Sequence, residues 1–335
     1  MKLIALTALL VFLGAASSYP EDSRPLTFER TITLSGVTGK FDHFAIDEAG
    51  NRLFAAATGN QTVEIIDLAT GKSVQSISGF GKPHGLAWIG ETGRLFVADG
   101  SKGELDVLEG SPLKVVKKIA LSEDADDMVY DSTRRVLYVG HGGTDAQNPA
   151  GIAVIDAVRL TLLKTFPVAA HPEALDIDPV HGRIFANISD KGEVAVIDGR
   201  KQAIVAKWPL ADAKGNTPMA YDAADNILLI GCRSPAKLIA LDATSGTELA
   251  TAPADAGADD LFYEPRTHRA YLITGAGVVD SYTVTSERSL QSLAPTSTAS
   301  GAKTGLLVPS RSSLYVGIPG SGDAAQIRIY RTAAK

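Results

Sequence analysis

Histidines 43, 84 and 171 fall within the same few positions of a sequence repeat as six carboxylates, Asp42, Asp126, Asp127, Glu173, Asp259 and Asp260. Imidazole combined with carboxylate suits Zn, Cu, Ni or Fe, and carboxylates alone suit Ca or Mn. A divalent metal held by His43, His84, His171 and Glu173 is therefore one candidate chemistry. Such an ion could activate water, with a neighbouring carboxylate as base. No H-x-H or H-E-x-x-H spacing fixes two ligands on one element, so distant segments must bring them together. The sequence carries no G-x-S-x-G elbow, no P-loop and no cysteine pair. The single cysteine, Cys232, sits in the apolar run ILLIGC and reads as a small buried hydrophobe rather than a nucleophile. His181 and His268 stand in the turns DPVHGR and EPRTHR, where a solvated side chain is the default.

The elements that position these residues repeat about every 43 residues. Short apolar strands recur as RLFAAAT (52–58), RLFVADG (94–100), VLYVGHG (136–142) and RIFANIS (183–189), then less regularly at 227–233, 270–275 and 314–320. Their anchors are Leu53, Leu95, Leu137, Ile184, Leu228, Ala270 and Leu314. About six residues before most anchors stands a turn-starting acid, Asp47, Asp131, Asp178, Asp222 or Glu264, whose carboxylate can accept from nearby backbone N–H groups. A short strand precedes each acid. After each anchor strand come a turn, an alternating strand such as VEIIDL or VAVIDG, a second turn and a fourth strand. Four short strands per repeat predict an all-β, seven-bladed β-propeller with four-stranded antiparallel blades. The seventh unit stops after its third strand, IRIY, whereas LTFERTITL (26–34) precedes the first unit without a unit of its own. That N-terminal strand is predicted to complete the last blade and close the ring, which removes two sheet edges.

Rows such as RLFVADGSKGELDVL and RIFANISDKGEVAVID resemble the YVTN-type propeller repeat, and the chain resembles the bacterial YncE-like family over about 290 residues. The resemblance implies the propeller fold and a binding role, with no shared catalytic machinery. Blade 6 departs from the pattern, with Ala-Tyr at its anchor and VVDSYTV in place of a strand ending in I-D.

Propeller geometry then sorts the side chains. The residues about eleven before each anchor are Asp42, His84, Asp126, Glu173, Thr217, Asp259 and Lys303; the next column includes His43, Asp127 and Asp260. These positions open the innermost strands, so seven copies should converge on the mouth of the central channel. Acids dominate, and Lys303 and Lys82 are the main positive residues expected there. His141 is also assigned to the mouth face, in the loop HGGTDAQNPAG (141–151), the longest of its set. Trp88, Tyr130, Tyr221 and Tyr263 form an aromatic column read as packing between blades.

Composition narrows the function. The 335 residues are 45% hydrophobic with a formal net charge of −6, which fits a folded chain without general attraction to nucleic acid or anionic membrane. Residues 1–18 have the order of an export signal: Lys2, a 13-residue apolar run, then small residues ending at Ser18. The expected mature chain, 19–335, is one propeller domain, periplasmic or extracellular. The leading reading is a non-enzymatic propeller that binds a small molecule or protein partner at the channel mouth. The alternative is a metal-dependent hydrolase, lactonase-like, or an oxidoreductase-accessory propeller that uses the same His/Asp/Glu cluster.

Overall fold

The seven repeat anchors are all completely buried. Each lies on the second strand of its own sheet, so the sequence period is the blade period. The structure is a computed structural model and describes residues 24–144 and 149–333. The expected export signal at 1–18 lies outside the described residues.

Six blades run in chain order, at 44–77, 83–120, 128–167, 172–209, 214–253 and 258–297. The seventh is assembled from Gly305–Val308, Ser313–Ile318 and Ala325–Thr332, with Leu26–Leu34 as its outer strand. Leu26 pairs with Thr332 and Leu34 with Ala325, in an antiparallel ladder broken by one bulge between Phe28 and Arg30. A backbone bridge between Gly39 and Gly320 fastens the same junction on the mouth side. The ring is thus a seven-bladed β-propeller closed by its N-terminal strand.

The turn acids do what their spacing demands. Asp47 accepts from Gly50 N–H at 2.9 Å and from the Arg52 guanidinium. Asp178 accepts from the N–H groups of Val180 and His181 and from Arg183. Both carboxylates are buried, so these bonds offset the cost of removing a charge from water.

The core lies between blades rather than inside any one of them. Seven apolar clusters each join side chains of two neighbouring blades, the last pairing blade 7 with blade 1. The aromatic column belongs to this packing. Trp88 lies 5.3 Å from Phe54 of the preceding blade, and Tyr221 lies 5.5 Å from Phe185. A blade cannot bury both its faces alone, which is why stacking neighbours supplies most of the stability in such architectures.

Two local features differ from a uniform repeat. The outer strand of blade 6 is split into Leu290–Ser292 and Thr296–Ser297; Pro295, which has no N–H to donate, stands between them. The segment expected as the longest loop is largely strand. Blade 3 extends its hairpin through Thr144 and resumes at Pro149, with Gly143 opposite Pro149. Helix is confined to three 3-10 turns among the described residues, and no helix is long and apolar enough to cross a membrane.

Candidate functional site

The innermost strands start at Phe44, Pro83, Met128, Pro172, Lys214, Ala258 and Gly305, so the residues at or just before each start surround the axis. Asp42, His43, His84, Asp126, His171, Glu173, Asp259 and Lys303 line one basin of about 200 Å³. Asp127 and Asp260 lie one step inward and line an adjoining axial channel of about 340 Å³, which shares His43 and Asp259 with the basin. Below that point Leu86, Met128, Leu175, Met219 and Leu261 share the channel wall with polar groups, Asp176 among them.

His141 is not part of this lining. It is 4% exposed, and neither ring nitrogen has a hydrogen-bond partner among the described residues. Burial, then the nearby His171 imidazole, pushes its pKa down to about 4. It sits opposite Gly151, inside the lengthened hairpin of blade 3. The physical reason is that the strands of blade 3 continue on both sides of it, through Thr144 and from Pro149, and enclose the ring.

The positive side of the basin is larger than the sequence reading expected. Arg233, Lys40 and Lys82 line it along with Lys303. Lys303 and Arg233 both pair with Asp259, and Lys82 pairs with Asp124 at 3.3 Å. Arg233 had a readable signal. Five residues after the anchors stand Thr58, Gly100, Gly142, Ser189, Arg233, Gly275 and Pro319, and only blade 5 places a long cation there.

At the floor, three imidazoles share two carboxylates. Asp126 lies 3.8 Å from His43 Nε2, 3.5 Å from His84 Nδ1 and 3.4 Å from His171 Nε2. Asp42 lies 2.6 Å from His84 Nδ1 and 3.7 Å from His43 Nε2. Burial alone would raise Asp126, but His171, His84 and His43 hold it well below the usual carboxylate range. Burial alone would lower the histidines. Asp260, Asp127 and Asp42 instead raise His43 well above its ordinary value, and Asp42 and Asp126 raise His84. Against the same burial, Asp126, Asp124 and Glu173 lift His171 to about 9. The basin is a compact network of imidazole–carboxylate contacts in which the carboxylates favour the protonated form of each ring. Burial also raises Glu173 and Asp259.

Three inner acids carry a structural duty. Asp127, Asp176 and Asp260 accept the backbone N–H of Leu175, Tyr221 and Gly305, each on the next blade, at 2.8, 2.7 and 2.7 Å. Burial pushes Asp127 up to about 6 and Asp176 to about 7. Asp176 was not singled out in the sequence, because it stands eight residues before its anchor, outside the two polar columns.

A second acidic group, Asp99, Glu104 and Asp106 in blade 2, is already compensated. The Lys102 ammonium lies 3.4 Å from Asp99, and Lys118 lies 3.1 Å from Asp106. His181 and His268 are on exposed turns and bond locally to Asp178 and Tyr263.

No family model and no curated protein matches the sequence. Solved structures do match in shape. A chain of Kuenenia stuttgartiensis hydrazine synthase aligns with a TM-score of 0.79 and 16% identity, over 90% of this chain and 98% of that one. A chain of the mitotic checkpoint complex aligns at 0.78 and 16%, over 98% and 99%. The RRP9 WD40 repeats align at 0.76 and 11%, over 91% and 100%. At such identities the likeness shows the propeller fold alone.

Proposed function

We propose that this chain is an exported binding propeller, without enzymatic activity of its own, that takes a ligand or protein partner at the mouth of its central channel. The observation that carries this reading is the basin. Every blade contributes to its lining, and it combines a cationic rim with an imidazole–carboxylate floor that opens into the axial channel. A rigid ring that collects convergent polar groups in one concave recess has the general form of a binding site. The neighbours in the mitotic checkpoint complex and the RRP9 WD40 repeats are compatible with a scaffold role. Placement among YVTN-type, YncE-like propellers rests on the repeat rows, and export rests on residues 1–18.

The test compares the wild-type chain with an Arg233→Gln/Lys303→Gln variant after incubation in one cell extract, with bound species identified by mass spectrometry. Both must show the same circular dichroism. A species retained by the wild type and lost by the variant supports the mouth as the site. An identical bound set for both refutes it.

A second reading, metal-assisted hydrolysis of esters or lactones, is favoured by one feature. Asp127 faces the channel near His43 with a pKa of about 6, suited to a general base near neutral pH. Turnover of a lactone panel that disappears with Asp127→Asn would support it.

A further inference from the structure

The floor of the basin has an arrangement that a set of ion pairs does not require. Asp42 Oδ1, His43 Nε2 and Asp126 Oδ1 face one another, and one ligand atom from each of the three residues lies within 4.8 Å of the others. His43 Nε2 is 3.7 Å from Asp42 Oδ1 and 3.8 Å from Asp126 Oδ1. These separations are too long for hydrogen bonds, which close to roughly 2.7–3.2 Å. They are near the roughly 3.4 Å expected between two ligands of a tetrahedral ion with bonds of about 2.1 Å. Asp126 Oδ1 is buried and has no hydrogen-bond partner among the described residues.

The outward atom of each of these residues is occupied. Asp42 Oδ2 is 2.6 Å from His84 Nδ1 and accepts its proton. Asp126 Oδ2 is 3.4 Å from His171 Nε2, whose ring is anchored through Nδ1 to the Gly142 carbonyl at 3.0 Å. His43 Nδ1 is 3.2 Å from Asp260 Oδ1, and Asp260 Oδ2 is itself fixed by the Gly305 N–H at 2.7 Å. A carboxylate behind one imidazole nitrogen fixes the tautomer that presents the other nitrogen's lone pair, the usual support for a metal-bound histidine. His84 Nδ1 also lies 3.5 Å from Asp126 Oδ1, beside the same opening.

We propose that Asp42, His43 and Asp126 form a site for one divalent first-row metal ion of the Zn²⁺ class, with His84, His171 and Asp260 as the residues that orient them. One nitrogen and two carboxylate oxygens suit such an ion. Three protein ligands leave a coordination position open to the basin, where an incoming ligand with a carboxylate, imidazole or similar donor would bind. This inference rests on the reading of the mouth as a binding site. It also revises the set suggested by the sequence: Glu173 is outside it, and His84 and His171 move from ligands to supports.

The experiment titrates the chelator-treated full chain with Zn²⁺ alone, by calorimetry in a weakly coordinating buffer, with Co²⁺ absorption as the spectroscopic readout. One ion per chain is expected. His43→Ala and Asp126→Asn should each lose binding by more than about 100-fold. Asp260→Asn retains all three ligand atoms and should weaken binding about 10- to 100-fold. The visible Co²⁺ bands of the wild type should vanish in His43→Ala. Should His43→Ala not fold, Asp260→Asn alone decides, because a surface site would not respond to it. No Zn²⁺ uptake, or uptake that neither His43→Ala nor Asp260→Asn alters, overturns the site. A chain that takes no zinc, yet loses its bound species with Arg233→Gln/Lys303→Gln, overturns the metal and leaves the mouth reading intact. Zinc bound through His43, with no species dependent on the rim, refutes the mouth reading and keeps the metal.

Discussion

Closure of the ring by the N-terminal strand makes Leu34→Ala the most informative single change. Leu34 is fully buried and packs with Ile32, Ile327 and Ile329 in the cluster that joins blade 7 to blade 1. Truncating a buried leucine removes its transfer energy and leaves a cavity, a cost of about 2–5 kcal/mol. The surrounding side chains lie on two blades held by a paired ladder on one side and packed sheet on the other, so collapse into the cavity is restricted. A value near 3 kcal/mol is expected. At about 2 °C per kcal/mol for a chain of this size, the thermal midpoint should fall by about 6 °C. The neighbouring Thr33 points to solvent in the same strand, so Thr33→Ala should cost less than about 1 kcal/mol. Urea denaturation followed by tryptophan fluorescence and by far-ultraviolet circular dichroism measures both. Equal midpoints for Leu34→Ala and Thr33→Ala would refute the closure argument, because the strand would then be dispensable to the folded ring.

Acid should weaken the protein through His141. Its folded pKa of about 4 lies below the unfolded value near 6.5, so stability is full above pH 6.5 and falls between 6.5 and 4, by at most about 3 kcal/mol. His141→Leu should remove that part of the acid sensitivity; denaturant midpoints at pH 7 and pH 4.5 that shift equally in both proteins would count against it. The Cys232 thiol, buried and pushed up to about 12, should react with a disulfide reagent only as the protein unfolds, and labelling at the rate of a free thiol in native buffer would contradict its placement. Gly246 has a φ of +75°, and a Cβ there would come within 2.2 Å of the Trp208 ring, so Gly246→Ala should cost more than about 1 kcal/mol, read as a lower melting temperature with altered tryptophan fluorescence.

The fold was legible because its signals are local. Both members of each anchor pair are buried, one against each neighbouring blade, and the acids Asp47, Asp131 and Asp178 mark turns through bonds to residues two to five positions away. Anything with a short sequence range and a fixed period can be read from one chain. The polar columns were legible for the same reason: strand phase dictates which residues begin the innermost strands, and eight of those residues line the basin. The exceptions had local causes that the period hides. His141 is buried beside the basin instead of lining it because two strands lengthen through a segment that reads as a loop, and Pro295 splits an outer strand in the least regular blade.

Sequence alone therefore determined the blade count, the closing strand and the identity of the residues that meet at the mouth. Only the tertiary structure decided which atoms face which. His43 Nε2 and the Oδ1 atoms of Asp42 and Asp126 come from blades 1 and 3, up to 84 residues apart, and nothing in their spacing encodes a separation of 3.7 or 3.8 Å. That geometry depends on supports from other blades, His84, His171 and Asp260, and on the ring's fixed radius. The physical reason is range: turn and strand chemistry acts over a few residues, whereas the orientation of a side chain on the axis is set by packing and hydrogen bonds from blades that are neighbours only after the ring has closed.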